Sequence, residues 1–195
     1  KPEEVVERVK KNLVFDAKEK SKRLDQLKGE EVLKELTGLF TTGVKYIEPN
    51  EISGSLRGRN NIYNHLDMMI RGAEKSITIA TTAEGLNRKL EALMPSLEKA
   101  KKKGIKIRIA APITPNNMKV AREMGRVAEV KSMDNFRGRF AIIDEKEIMF
   151  MLLDDEKVHP TYDVGVWLNT EFFAKVLGQM FDPLWQGTKT AIRSK

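Results

Sequence analysis

Residues 76 to 110 read as a strand, a helix and a second strand, and no other stretch constrains the fold as much. Ser76-Ile77-Thr78-Ile79-Ala80-Thr81 is a short apolar and β-branched run, the pattern of a strand buried on both faces. Leu86, Leu90, Leu93, Met94, Leu97 and Ala100 then recur mostly three or four apart, which is one face of a helix. Gly104 stands where a left-handed residue closes such a helix. Ile105 to Ala110 supplies the second apolar run. Two strands joined this way run parallel in one sheet with a right-handed crossover. The remainder of the chain must therefore supply helices for both faces and the other strands of an α/β sheet.

The flanking segments fit that demand. Ile62, Leu66, Met69, Ile70 and Ala73 give a helix, Asn116 to Met124 a short one, and Val127 to Val130 a strand. Phe140–Ile143 and Ile148–Leu153 read as a hairpin across residues 144 to 147, and Tyr162 to Leu168 as a further strand. Thr170 can cap a last helix whose apolar face holds Phe173, Val176, Leu177, Met180 and Phe181, with Pro183 expected to disrupt it. Gly38 to Gly58 reads as a linker with one or two short strands such as Val44–Ile47. Residues 3 to 40 read as a long helix with a break near Gly29. Its apolar stripe, with Val5, Val9, Leu13, Leu24 and Leu27 as candidate dimer contacts, needs something to cover it: a second copy or its own domain. The expected organisation is a helical dimerisation arm over 1–43 and, over 44–195, an α/β domain with a mixed sheet flanked by helices.

Composition narrows the functions. No apolar run approaches the roughly 18 residues of a membrane span, and the N-terminus has no signal-peptide pattern, so no membrane partner is expected. With no cysteine there is neither a disulfide framework nor a thiolate metal site, which agrees with a cytoplasmic protein. No metal or cofactor is expected. The net charge of +7 is concentrated: residues 98 to 139 carry 12 Lys/Arg against 4 Asp/Glu. Such a field attracts nucleic acid or smaller anions, although Lys99, Lys101, Lys102 and Lys103 also suit the C-terminal end of a helix.

Arg137-Gly138-Arg139-Phe140-Ala141-Ile142-Ile143-Asp144 is similar in spacing to the H-x-K-x4-D motif of the phospholipase D superfamily. The resemblance puts Arg137 at the histidine position, Arg139 at the lysine position and Asp144 at the aspartate position. Arginine stays protonated and offers no lone pair, so Arg137 cannot act as a nucleophile. Met151 and Leu152 stand where the superfamily has Gly-Ser. The resemblance thus implies a phospholipase-D-like domain, and the two departures give the expectation that it is catalytically degenerate and not an enzyme.

The order of elements, with Leu56-Arg57-Gly58-Arg59-Asn60-Asn61-Ile62-Tyr63, Ala73-Glu74-Lys75-Ser76-Ile77 and Lys103-Gly104-Ile105-Lys106-Ile107-Arg108-Ile109, resembles the C-terminal region of the archaeal TrmB-type transcription regulators. That family implies a homodimer formed through a coiled-coil helix, DNA read by a winged helix-turn-helix lying upstream of Lys1, and an effector-sensing phospholipase-D-like domain. A basic module that itself binds nucleic acid is the alternative, and an active phosphodiesterase or nuclease the third reading. The candidate effector site joins Thr81 and Thr82, placed by the rule that ligands sit beyond the carboxyl ends of parallel strands, to Arg137, Arg139 and Asp144, which the resemblance to the phospholipase D motif implies. The alternative for Asp144 is an ion pair with one of the arginines. Arg137 and Arg139, one residue apart, are expected on one face of a strand, where they could bind a small anionic effector. His65 and His159 read as surface or capping residues, and Trp167 and Trp185 as core or interface.

Overall fold

A computed structural model of the chain describes residues 2–27, 31–41, 47–134 and 136–192. It divides into two compact units, 1–47 and 48–195. The first holds α1 (Pro2–Leu27) and α2 (Glu31–Thr41). Val5, Val9, Leu13 and Leu24 are exposed along α1; the side chain of Leu27, Gly29 and residues 44–46 of the expected strand lie outside the described residues.

The second unit is built on one mixed sheet. In chain order it contains α3 (Pro49–Ile52), β1 (Ser53–Arg57), α4 (Arg59–Gly72), β2 (Ser76–Ala80), α5 (Ala83–Lys102), β3 (Lys106–Ala111), α6 (Met118–Met124), β4 (Glu129–Ser132), β5 (Phe140–Ile143), β6 (Glu147–Met151), β7 (Val164–Asn169), α7 (Glu171–Gly187) and β8 (Thr190–Ile192). The strand order is β1-β7-β6-β5-β2-β3-β4-β8. Among the described residues, β2–β3 and β3–β4 pair in parallel and the other pairings are antiparallel. β2, with Ile77, Thr78, Ile79 and Ala80 all buried, sits mid-sheet, as its two-sided apolar pattern requires.

Each face has its own core. Ile62, Leu66, Leu86, Leu93 and Leu97 of α4 and α5 pack with Ile77, Ile79, Ile107 and Ile109. Phe181, Trp185 and Ala174 of α7 pack with Phe140, Ile142 and Ile148. α5 ends as its sequence implies: Gly104 has φ +81, and the carbonyls of Lys99, Ala100 and Lys101 accept backbone N–H groups of residues 103 to 105.

Three expectations need correction. The edge strand β1 was not legible, because Ser53-Gly54-Ser55 has no apolar alternation; Gly54 is needed because a Cβ there would lie 2.6 Å from Nε1 of Trp167 on β7. α7 continues through Pro183, since Phe181 and Trp185 are both anchored in the core. Thr170 precedes α7 without a side-chain cap bond. Among the described residues no helix is long and apolar enough to cross a membrane.

Candidate functional site

A pocket of about 440 Å³ opens where β2, β3 and β6 end and the segment leading into β5 begins. Thr82 and Ala83 at the start of α5, Pro112 after β3, Arg137 and Arg139 before β5, and Leu152, Leu153, Asp154 and Glu156 after β6 line it. Its position follows from the topology: the parallel strands deliver their carboxyl ends to one edge of the sheet, and their loops must turn there.

Arg139 is the hinge of the wall. It lies in the segment leading into β5, with its carbonyl accepting the Met151 amide at 2.8 Å, and is 5% exposed. Its Nη2 donates to Asp163 Oδ2 at 2.9 Å and its Nη1 to Asp163 Oδ1 at 3.2 Å; Nη1 also donates to the Leu153 carbonyl. Arg59, the first residue of α4, donates from Nε to Asp163 Oδ2 at 3.1 Å and from Nη2 to the Asp155 carbonyl at 3.3 Å. Burial alone would raise the Asp163 pKa, but the hydrogen bonds and charges of Arg139 and Arg59 outweigh it and hold the carboxyl below its ordinary range.

The second carboxylate, Asp155, accepts from Thr82 Oγ1 at 2.9 Å and from Arg88, with Arg139 Nε 3.8 Å away. Thr82 Oγ1 in turn accepts the Gly85 amide at 2.9 Å, capping α5. The start of α5 thus holds a carboxylate of the chain itself, where a helix N-terminus and a hydroxyl favour negative charge.

Beneath this wall lies Lys89 of α5, 1% exposed. Its Nζ donates to Thr81 Oγ1 at 2.9 Å and sits 5.3 Å from the Tyr63 ring centroid. Desolvation, reinforced by Arg139 and opposed by Asp155, lowers its pKa to about 7. Among the described residues, Arg139 Nε and Asp155 Oδ1 in this cluster have no hydrogen-bond partner.

The structure does not assemble the sequence-derived set as expected. Arg137 and Arg139 diverge: neither is in a strand, Arg139 is buried in ion pairs, and Arg137 is exposed at the pocket mouth. Thr82 lines the pocket, whereas Thr81 is buried and bonded to Lys89. Asp144 is at the far end of β5. It is the first of two residues with positive φ, at 55° and 56°, in the β5–β6 turn. Its carboxylate accepts the amides of Glu74, Lys75 and Ser76 at 2.7 to 2.8 Å, tying the turn to the start of β2. The seat foreseen for an anion is filled by Asp155 and Asp163. Asp134, Asp154 and Glu156 stand at the mouth beside Arg137, so the entrance does not favour a strongly anionic ligand.

Sequence reading missed Arg59, Arg88, Lys89, Asp155 and Asp163. Lys89, only three residues after Leu86 on the apolar face of α5, was the one available signal, because a lysine in a buried stripe requires a polar partner inside. His159 caps the turn at Pro160–Tyr162, while His65 stacks on Trp167.

No protein-family model matches the chain, and no curated protein matches it by sequence. Solved structures do. TrmBL2, an archaeal chromatin protein whose structure shows a novel mode of DNA binding, is 18% identical with a TM-score of 0.55, over 93% of this chain and 69% of that one. Nuc from Salmonella typhimurium, a phospholipase D family member, is 16% identical with a TM-score of 0.58, over 73% of this chain and 99% of Nuc. NucT from Helicobacter pylori is 14% identical with a TM-score of 0.55, over 71% of this chain and 98% of NucT. The fold is therefore phospholipase-D-like. The expectation that the chain is not an enzyme is corrected by this likeness, since the fold is shared with Nuc, a phospholipase D family member, and with NucT.

Proposed function

We propose that this chain is the effector-sensing and dimerising part of a DNA-associated regulator of the TrmB type. The observation that carries the reading is the reach of the likeness to TrmBL2. The second unit accounts for 148 of 195 residues, about the share that Nuc and NucT match, whereas TrmBL2 matches 93% of the chain and so extends into the N-terminal helices. The exposed stripe of Val5, Val9, Leu13 and Leu24 supports a coiled-coil pairing with a second copy.

The effector enters the pocket of about 440 Å³, a volume suited to a small molecule, and engages Arg137 and Thr82. With three carboxylates at the mouth, a neutral or zwitterionic polar effector fits better than the anion expected from sequence. Thermal shift against sugars, amino acids and phosphorylated metabolites tests this, since a ligand at 100 times its Kd adds about 2.7 kcal/mol. Stabilisation should be lost in Arg137→Ala; equal stabilisation of the variant refutes the site. For the dimer, Val9→Asp/Leu13→Asp should halve the mass measured by sedimentation, and a parent chain already monomeric at tens of micromolar, roughly the range in which a weak dimer shows, refutes it.

A phosphodiesterase reading has one structural feature in its favour. The group in the site whose pKa lies near neutrality is Lys89, so cleavage of a generic phosphodiester should follow Lys89 and vanish in Lys89→Met. Turnover unchanged in that variant removes Lys89 from the chemistry.

A further inference from the structure

The edge of the sheet opposite the pocket carries the charge excess that the sequence locates but does not arrange. Lys99 and Lys102 are in the last turn of α5, Lys103 follows it, Lys106 opens β3, and Arg122 and Arg126 lie in and just after α6. All six are exposed. α5 packs on α6, and β3 pairs with β4, so these side chains share one end of the domain. None of the six forms an ion pair among the described residues. Three other basic residues of the 98–139 segment are engaged inside the domain: Lys131 is buried and donates to the Trp185 carbonyl, Arg108 bonds Asp182, and Arg139 bonds Asp163.

The ordinary role of lysines at a helix C-terminus does not account for this cluster. The last carbonyls of α5 already accept backbone amides, and the macrodipole amounts to about half a charge. Against six cations the neighbouring acids are Glu98 of α5, Glu123 of α6 and, in the cleft beside Lys106, Glu129, Glu145 and Asp182; Glu129 already accepts from Thr190 and Asp182 is bonded to Arg108. With Asp182 offset by Arg108, a surplus of about one to two charges remains after the dipole is deducted. At the pocket mouth the balance is reversed, with Asp134, Asp154 and Glu156 beside Arg137. A polyanion is therefore drawn to the edge opposite the pocket and repelled at its mouth.

We propose that the edge formed by the C-terminal end of α5, the start of β3 and α6 binds the phosphate backbone of duplex DNA directly, independently of the pocket and of the effector reading. The chemistry selects this occupant. Single-stranded nucleic acid is gripped by aromatic platforms, and none of these elements carries a Phe, Tyr or Trp. A protein partner is anchored by aromatic or apolar residues at the centre of a contact, and the centre of this patch is lysine and arginine. Neighbouring strands are about 4.8 Å apart and packed helices about 8–10 Å, so the patch spans on the order of 15–20 Å, enough for a few phosphates across a groove. The contacts carry no base readout and hence no sequence preference.

The test is fluorescence anisotropy of the full chain with a mixed-sequence duplex between 50 and 200 mM salt. About three to five phosphate contacts give a slope of log K against log salt of about −2.7 to −4.5. Lys102→Glu/Lys103→Glu/Lys106→Glu should weaken binding at least tenfold and flatten the slope, whereas Arg137→Glu at the pocket should leave both unchanged. Thermal melting verifies that these surface variants stay folded, and Arg126→Glu alone should lower the slope by about one. The proposal is overturned if the parent does not bind the duplex at 50 mM salt. It is also overturned if Arg137→Glu abolishes binding while the lysine reversal does not, or if a charge-matched polyglutamate competes as well as duplex.

Discussion

Arg139 and Asp163, 24 residues apart in sequence, are joined by two hydrogen bonds of 2.9 and 3.2 Å with their side chains 3% and 0% exposed. This pair closes the wall of the pocket. It fastens the segment before β5 to the segment before β7, while Arg59 draws the start of α4 to the same carboxylate. A buried pair of this kind is expensive to break and of little net benefit over apolar packing, so its role is to set geometry.

Removing one member of the pair leaves a buried charge unmatched. Asp163→Ala should cost about 3–5 kcal/mol in urea unfolding, with Arg139→Ala comparable and the double variant well short of the sum. The Asp163 pKa is depressed, so its contribution is present above the ordinary carboxylate range and is lost as pH falls through the folded value. Additive single effects would show that the two side chains are not coupled.

Lys89 makes stability depend on pH in the opposite sense to a salt-bridged lysine, whose folded pKa would be raised. Its folded pKa of about 7 lies below the usual 10.5, so between these values the unfolded chain holds the extra proton. Stability due to this group therefore rises with pH by up to about 1.4 kcal/mol per unit. Lys89→Met should be stabilised relative to the parent near pH 7, with the difference shrinking towards pH 10. A difference that does not change between pH 7 and pH 9 contradicts the buried placement.

Gly85 leaves room for the hydroxyls that organise the wall. A Cβ at this position would lie 2.2 Å from Thr81 Oγ1 and 2.8 Å from Thr82 Oγ1. Gly85→Ala should accordingly destabilise by about 1–3 kcal/mol, as overpacking does, although alanine is the better helix former. Unchanged or raised melting temperature would mean that the two threonines can move aside without loss.

Asp144 should behave as a structural residue. Its carboxylate accepts three backbone amides, and Asp144→Ala should cost about 1–3 kcal/mol through unpaired donors while leaving ligand binding at the pocket intact. Loss of ligand binding at full stability would return Asp144 to the site.

Local pattern was enough for much of this molecule. The apolar runs at 76–81 and 105–110, the stripe from Leu86 to Ala100 and the glycine at 104 specified β2, α5 and β3 and hence a parallel pair inside an α/β sheet, because side-chain period and capping act over a few residues. The concentration of positive charge in residues 98 to 139 was equally plain. Tertiary structure alone decided which of those charges are spent inside: Arg139 on Asp163, Lys131 beside Trp185, Arg108 on Asp182, with the remainder left on the opposite edge. It also decided that Arg137 and Arg139 part company and that Asp144 belongs to a turn. A charged side chain takes its role from the partner it meets, and partners such as Arg59 and Asp163 are 104 residues apart. Their meeting depends on strand order and register, which no local period encodes.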